Sequence, residues 1–162
     1  MKEIVNQESI STLKKSRRNI IIFLVVSLLA TIGLIVGLFF LATRELKYLF
    51  IIIFTIIASL EASFILYICV VSLFPLHNLI KLYELSLSGN KFMTKGKIVS
   101  ISDRVTHFKG VAVREVRVLD LEEENKEYIF YIEQNSLEEF AIEKTYSFVT
   151  YQSLITSYEE VI

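Results

Sequence analysis

The sequence predicts an α+β membrane protein: a two-helix transmembrane hairpin followed by a small five-stranded β-barrel domain. Three observations carry this. The chain is 53% hydrophobic with a mean hydropathy of +0.53, above the apolar share usual for soluble domains. The excess is concentrated between Ile20 and Phe74, and almost all charge lies outside that window. From Lys91 onward the pattern turns β-rich, with short β-branched and aromatic runs separated by turn residues.

Residues 1–19 form a basic N-terminal segment containing Lys2, Lys14, Lys15, Arg17 and Arg18. The hairpin, residues 20–74, follows in two runs. Ile20–Ala42 is an uncharged stretch of 23 residues, more than the ~20 needed to cross a hydrocarbon core. Residues 48–74 form the second span, carrying one charge, Glu61. Only Thr43–Lys47 separates the two, so the spans run antiparallel. A cleaved signal peptide is disfavoured, because the first run exceeds the ~7–15 residues of a signal core. The bulky Phe40 in Phe40-Leu41-Ala42 also stands where cleavage requires a small residue.

Positive charge sets the orientation. Lysines and arginines flank the outer ends of the hairpin, including Lys81, Lys91, Lys95 and Lys97 after it, whereas the tip offers only Arg44 and Lys47 beside Glu45. Both termini are therefore expected on the cytoplasmic side of a cell (inner) membrane.

Residues 75–90 are expected to form a juxtamembrane amphipathic helix. Pro75 ends or kinks the second span, and apolar residues at 76, 79, 80, 83 and 87 keep helical spacing. Gly89-Asn90 supplies a C-terminal cap. The helix either lies on the membrane surface or joins the span rigidly to the domain that follows.

The cytoplasmic β-barrel domain, 91–162, reads as strands over Phe92–Ser102, Val111–Leu121, Glu127–Glu133, Tyr146–Tyr151 and Leu154–Val161. Asp103-Arg104 and Lys109-Gly110 read as turns. The alternation of Val111–Leu121 shifts near Glu115, the signature of a bulge. Ser136-Leu137-Glu138-Glu139 reads as a capping box opening a short helix over Leu137–Ile142. Five strands with a helical turn between the third and fourth match a small OB- or SH3-like barrel, OB somewhat better.

The chain places Lys95-Gly96-Lys97-Ile98-Val99, then Glu127-Tyr128-Ile129-Phe130-Tyr131, then Lys144-Thr145-Tyr146-Ser147-Phe148-Val149 behind a two-span hairpin. This layout resembles uncharacterised bacterial two-span membrane proteins with a small C-terminal β-barrel, and more distantly the NfeD-type proteins, which carry an OB domain behind membrane helices. The resemblance implies an accessory or scaffolding role beside stomatin-like membrane partners. It carries over no active-site residue.

Glu61 is the first candidate site residue, since an ionisable group inside a span is costly and points to function by default. In an antiparallel hairpin turning near residue 45, its level on the first helix is near residue 30, beside Ser27 and Thr31. Glu61 is then a proton or cation site, a contact for another membrane subunit, or a structural group hydrogen-bonded to Ser27 or Thr31. Gly33 and Gly37 form GxxxG, and Thr55, Ser59 and Ser63 recur every fourth residue. These small surfaces serve either packing within the hairpin or association with a second copy or partner.

Other chemistries lack their parts. The chain contains no phosphate-binding glycine loop, HExxH or GxSxG, so no enzymatic activity and no cofactor are expected. The lone Cys69 has no partner for an internal disulfide, and with His77 and His107 it shows no metal-ligand spacing. Tyr128, Phe130, Tyr131, Tyr146, Phe148, Tyr151 and Tyr158 invite a base-stacking reading. Residues 91–162, however, hold nine Lys or Arg against thirteen Asp or Glu, a net of −4, so nucleic acid is not an expected partner. The expected partners are the bilayer and a membrane protein or second copy.

Two functions from different classes follow. The chain is a membrane-anchored interaction or scaffold protein whose barrel binds or regulates another membrane protein. Alternatively, it is a small subunit of a transport or export system, or a membrane immunity protein, that uses Glu61 within the bilayer.

Overall fold

A computed structural model describes residues 2–41, 46–122, 126–133 and 140–161. It has two long apolar helices followed by a six-stranded, largely antiparallel and partly barrel-like sheet. The chain divides into two compact units. One comprises Lys14–Phe74 and the other combines Met1–Leu13 with Pro75–Ile162.

The helical unit is built from α1 (Gln7–Leu41), whose first two turns belong to the other unit, and α2 (Lys47–Ile68). From Gln7 onward the basic segment is thus part of α1. Asn6 starts it: the Ser9 backbone N–H donates to Asn6 Oδ1 at 2.7 Å, which satisfies one of the amides that a helix start leaves without a carbonyl. Glu8 places its negative charge at the positive end of the helix dipole. A π-helical stretch, Cys69–Leu73, follows α2 and leads into α3 (Phe74–Ser88). Within it the Phe74 N–H donates to Cys69 O, a widened i→i+5 bond. It immediately precedes Pro75, whose ring would strike the carbonyl four residues back in a regular α-helix. Pro75 therefore does not end the helical run.

In the other unit, β2 (Phe92–Phe108), β3 (Val111–Asp120) and β4 (Glu127–Glu133) form an antiparallel meander. β5 (Thr145–Tyr151) pairs with β2, and β6 (Leu154–Glu160) pairs with β5. A single parallel register point, Tyr131 with Leu154, joins β4 to β6 and closes the cycle of pairings. β1 (Lys2–Glu3) adds to the outer edge of β6. That strand has no counterpart in the sequence reading, since two charged residues carry no strand signal.

The expected turn at Asp103-Arg104 is instead part of β2, which continues to Phe108. The register slips between Ile98 and Ser100 and again between Ile101 and Val105. The second slip lies opposite Arg114–Val116. The break in alternation visible at Glu115 is therefore produced by extra residues on the facing strand. Gly96 pairs with β3 and β5 at once, where a Cβ would come within 2.3 Å of Val118 Cγ1 and 2.7 Å of the Leu119 carbonyl oxygen. The Lys109-Gly110 turn is as expected, with φ of 52° and 78°, the two-residue geometry that matches strand twist. Gln152-Ser153 makes the equivalent turn between β5 and β6 without a glycine. Of the proposed capping box and short helix, residues 136–139 lie outside the described residues, and 140–142 are not helical.

Two apolar clusters hold this unit together. Ile98, Val116, Val118, Phe130, Ile132, Tyr146, Phe148, Ile155 and Tyr158 fill the space between strands. On the outer face of the sheet, Val111, Val113 and Leu154 are covered by Val5 and Ile10 from the N-terminal segment and by Leu79, Leu82 and Tyr83 of α3. The apolar face of α3 is thus turned to the sheet.

Candidate functional site

The first candidate lies within the helical unit. Leu24, Ser27, Thr31, Ile35 and Leu38 of α1 are half-buried, as are Phe50, Ile53, Phe54, Ile57, Glu61 and Ile65 of α2. These two stripes, at three- and four-residue spacing, form the seam of an antiparallel pair. Ser27 Oγ donates to Glu61 Oε1 at 2.9 Å, one turn from an edge-on contact of Phe23 and Phe64 at 6.3 Å. The carboxylate is therefore aimed at the neighbouring helix. Thr31 shares the stripe but the hydrogen bond goes to Ser27, because the register pairs 61 with 27 rather than with 30.

The small residues lie elsewhere. Gly33 and Gly37 are exposed, and a Cβ on either would meet nothing within 4 Å. Thr55, Ser59 and Ser63 are exposed as well. Thr55 Oγ1 donates to the Ile51 carbonyl and Ser63 Oγ to the Ser59 carbonyl, each at 2.9 Å, so both hydroxyls are satisfied within their own helix. Packing inside the hairpin, the first of the two uses considered for these stripes, is not the arrangement present.

The β-containing unit offers two further features. Tyr83, buried on α3, donates its hydroxyl to Glu133 Oε2 at the end of β4. Burial, reinforced by the facing carboxylate, pushes the Tyr83 phenol well above its ordinary range. The group stays a donor, and α3 is fastened to the sheet by a bond that sequence spacing could not have revealed across 50 positions. Elsewhere, a groove of 460 Å³ is lined by Phe92, Met93, Asp120, Glu122, Tyr128 and Gln152 among others. Phe92 and Met93 are 65% and 72% exposed there, beside two carboxylate residues. The strand pattern gave Phe92 no role beyond starting a strand.

Aromatic side chains considered for base stacking are largely spent on one another. Phe130, Tyr146, Phe148 and Tyr158 are buried, and Phe140 meets Tyr158 at 4.5 Å between ring centroids. Comparison with known proteins adds no identity: no family model matches the chain, and no curated protein matches it.

Proposed function

We propose that the chain is a membrane-anchored interaction or scaffold protein, whose β-domain binds or regulates another membrane protein on the cytoplasmic face of a bacterial inner membrane. The single observation that carries this reading is the joining of Lys2–Leu13 to Pro75–Ile162 in one folded unit, with a hairpin of long apolar helices between them. No residue of either helix's most apolar window is buried, as expected of helices whose solvent is lipid. With both flanks of the hairpin in one unit, both lie on the same side of whatever it crosses. The distribution of Lys and Arg favours the cytoplasmic side.

The order of strand pairing, β2-β3-β4-β6-β5 closing on β2 with β4 and β6 parallel, supports an OB-type barrel over an SH3-type one and agrees with the NfeD-like layout. On that reading the partner is a stomatin-like membrane protein. Two features support recruitment: the exposed Phe92 and Met93 beside Asp120 and Glu122, and the small-residue stripes facing out of the hairpin, which suit close helix approach by a membrane partner or second copy.

The second reading, a transport or immunity subunit using Glu61, is favoured by the presence of a carboxylate in the helical seam. Its bond to Ser27 within the same chain weighs toward an assembly role. Affinity capture of the full chain from membranes in mild detergent tests the two. The scaffold reading expects a stoichiometric membrane partner that is lost when residues 91–162 are deleted and kept in Glu61→Gln. Capture that survives the deletion and fails in Glu61→Gln would move the function into the bilayer.

A further inference from the structure

The first part of β4 is paired on one side only. Glu127, Tyr128, Ile129 and Phe130 pair with β3, whereas the pairing with β6 is made at Tyr131 with Leu154. On that second side the Tyr131 N–H donates to the Ser153 carbonyl at 2.7 Å. Backbone groups of a strand alternate in direction, so the N–H and C=O of Ile129 point the same way, away from β3. Among the described residues, no strand pairs with them. β1 covers the edge of β6 instead, opposite Ser157 and Tyr158. A free strand edge is a template for another strand. Glu127-Tyr128-Ile129-Phe130 contains neither the lysine nor the proline that blunts such edges.

Where β4 and β6 part lies the groove of 460 Å³, lined by Tyr128 and Phe130 of β4 and by Gln152 and Ser153 of the facing turn. Phe92 and Met93, at the start of β2 and ahead of its pairing with β3 at Gly96, add exposed apolar surface. Asp120 and Glu122 add carboxylates. Glu122 is in no ion pair among the described residues. The negative charge of the domain is concentrated here. Residues 120–127 hold five Asp or Glu against one Lys, a net of −4, which equals the net over 91–162, so the remainder of the domain is neutral. The one lysine of that stretch, Lys126, has its Nζ 5.0 Å from the centroid of the Tyr128 ring, so the rim of the groove already receives an ammonium group.

We infer that this groove binds an extended segment of a partner protein, one that carries lysine or arginine around a large apolar residue and adds as a strand to the free edge of β4. The backbone of Ile129 supplies main-chain pairing, and alternate side chains of the added strand turn toward the groove. An apolar side chain there meets Phe92 and Met93, and basic ones meet Asp120 and Glu122. Charge concentrated at one end of an otherwise neutral domain selects a basic segment and repels an acidic one. The inference deepens the scaffold reading and rests on it for the source of the segment, since cytoplasmic segments of membrane proteins are enriched in lysine and arginine. The geometry it uses is that of the β-containing unit alone.

Fluorescence anisotropy of the full chain in mild detergent, with the labelled heptapeptide Lys-Lys-Val-Phe-Val-Lys-Lys as probe, tests this. Wild type should bind the probe and bind its analogue with glutamate in place of lysine about tenfold more weakly. Methylating the amide nitrogens of the valines and phenylalanine should also weaken binding about tenfold, through lost main-chain pairing. Phe92→Ser should cost about tenfold and Glu122→Gln about threefold, while E143Q, a charge removed outside the groove, should leave affinity unchanged. Ile129→Pro removes only an N–H directed away from β3 and should abolish most of the binding that Ile129→Ala retains. Should Ile129→Pro fail to fold, the methylated peptide on wild type decides the same point. Equal affinity for the methylated peptide overturns strand addition, equal affinity for the glutamate analogue overturns the basic partner, and equal losses in E122Q and E143Q overturn the groove. Wild type that self-associates, excludes the probe and becomes monomeric in I129P assigns the edge to a second copy and overturns the partner segment. Affinity capture from membranes separates this proposal from the scaffold reading. A membrane partner that depends on residues 91–162 but is kept in F92S and I129P overturns the groove alone. Lysine-dependent probe binding without any captured partner overturns the scaffold reading and leaves the groove a peptide site.

Discussion

Phe148 on β5 and Leu66 on α2 are both large apolar residues in regular elements, yet the first is 0% exposed and the second 65%. The contrast extends to the two units that contain them. In the β-containing unit, aliphatic and aromatic side chains turn inward, and charged ones such as Lys144 and Glu160 turn outward. In the hairpin, the carboxylate of Glu61 and the hydroxyl of Ser27 lie in the seam, while Phe, Leu, Ile and Val cover the outside. One sequence has been sorted by two opposite rules. Apolar burial contributes ~25 cal/mol per Å² only where water is the alternative, so a hairpin with polar groups inside is suited to an apolar surrounding. In such a surrounding, shape and hydrogen bonds hold helices together rather than hydrophobicity.

The largest expected effect breaks that comparison directly. Phe148→Ala empties the centre of the apolar core of the sheet, where Phe130, Phe140 and Tyr146 pack on the ring. It should cost about 4 kcal/mol, a large part of the ~5–15 kcal/mol available to a domain. Leu66→Ala should cost less than about 1 kcal/mol in detergent, because no cavity forms on a face that packs only on solvent. Near-UV dichroism of the tyrosines, followed through denaturant unfolding, measures the first. Oligomer retention and thermal aggregation measure the second. If Leu66→Ala matched Phe148→Ala, the outer face of α2 would be packed against protein.

An intermediate effect concerns the bond that fastens α3 to the sheet. Tyr83→Phe leaves the Glu133 carboxylate without its phenolic donor and should destabilise the β-containing unit by about 1–3 kcal/mol. The pH dependence has a definite sign. The Tyr83 phenol titrates higher in the folded state than its ordinary value of 10.0, so above that pH the folded form holds a proton that the unfolded form has lost. The stabilisation is complete below pH 10 and declines as pH rises further. Wild type should therefore lose stability on alkaline titration more steeply than Tyr83→Phe. Parallel alkaline limbs would show that Tyr83 is not the group responsible.

How much of this was legible in the sequence divides along the same line. The two long apolar helices could be read because the signal of each is a sum over about 20 residues, and no local detail alters it. The strands from Val111 to Leu154 were legible because β-branched and aromatic runs lie between turn pairs such as Lys109-Gly110. β1 could not be read, since Lys2 and Glu3 pair with β6 for reasons that reside in β6. The continuation of β2 through Asp103-Arg104 was hidden for a related reason: turn-forming residues also suit a bulge, and only the facing strand decides between them. The seam carried a partial signal. Depth along two antiparallel helices brought Ser27 and Thr31 to the level of Glu61, and the rotation of each helix chose Ser27. That rotation also turned Gly33, Gly37 and Ser59 outward, a result that spacing within one helix leaves undetermined.

The smallest expected effect sharpens what the seam is for. Ser27→Ala removes the hydroxyl that donates to Glu61 at 2.9 Å and leaves the surrounding Phe23–Phe64 contact in place. Hydrogen bonds between membrane helices contribute ~0.6 kcal/mol on average, because a separated helix finds other partners for the same group. A loss of that size, read from steric-trap or denaturant unfolding in detergent micelles, fits a carboxylate whose role is to orient the pair. A loss above ~3 kcal/mol has a different meaning, since it exceeds what a single hydrogen bond to a side chain contributes. The seam would then be holding Glu61 away from water at real cost to the fold. A group held at such cost is the kind kept for chemistry or for contact with a second membrane subunit, and the transport reading would gain what the scaffold reading lost.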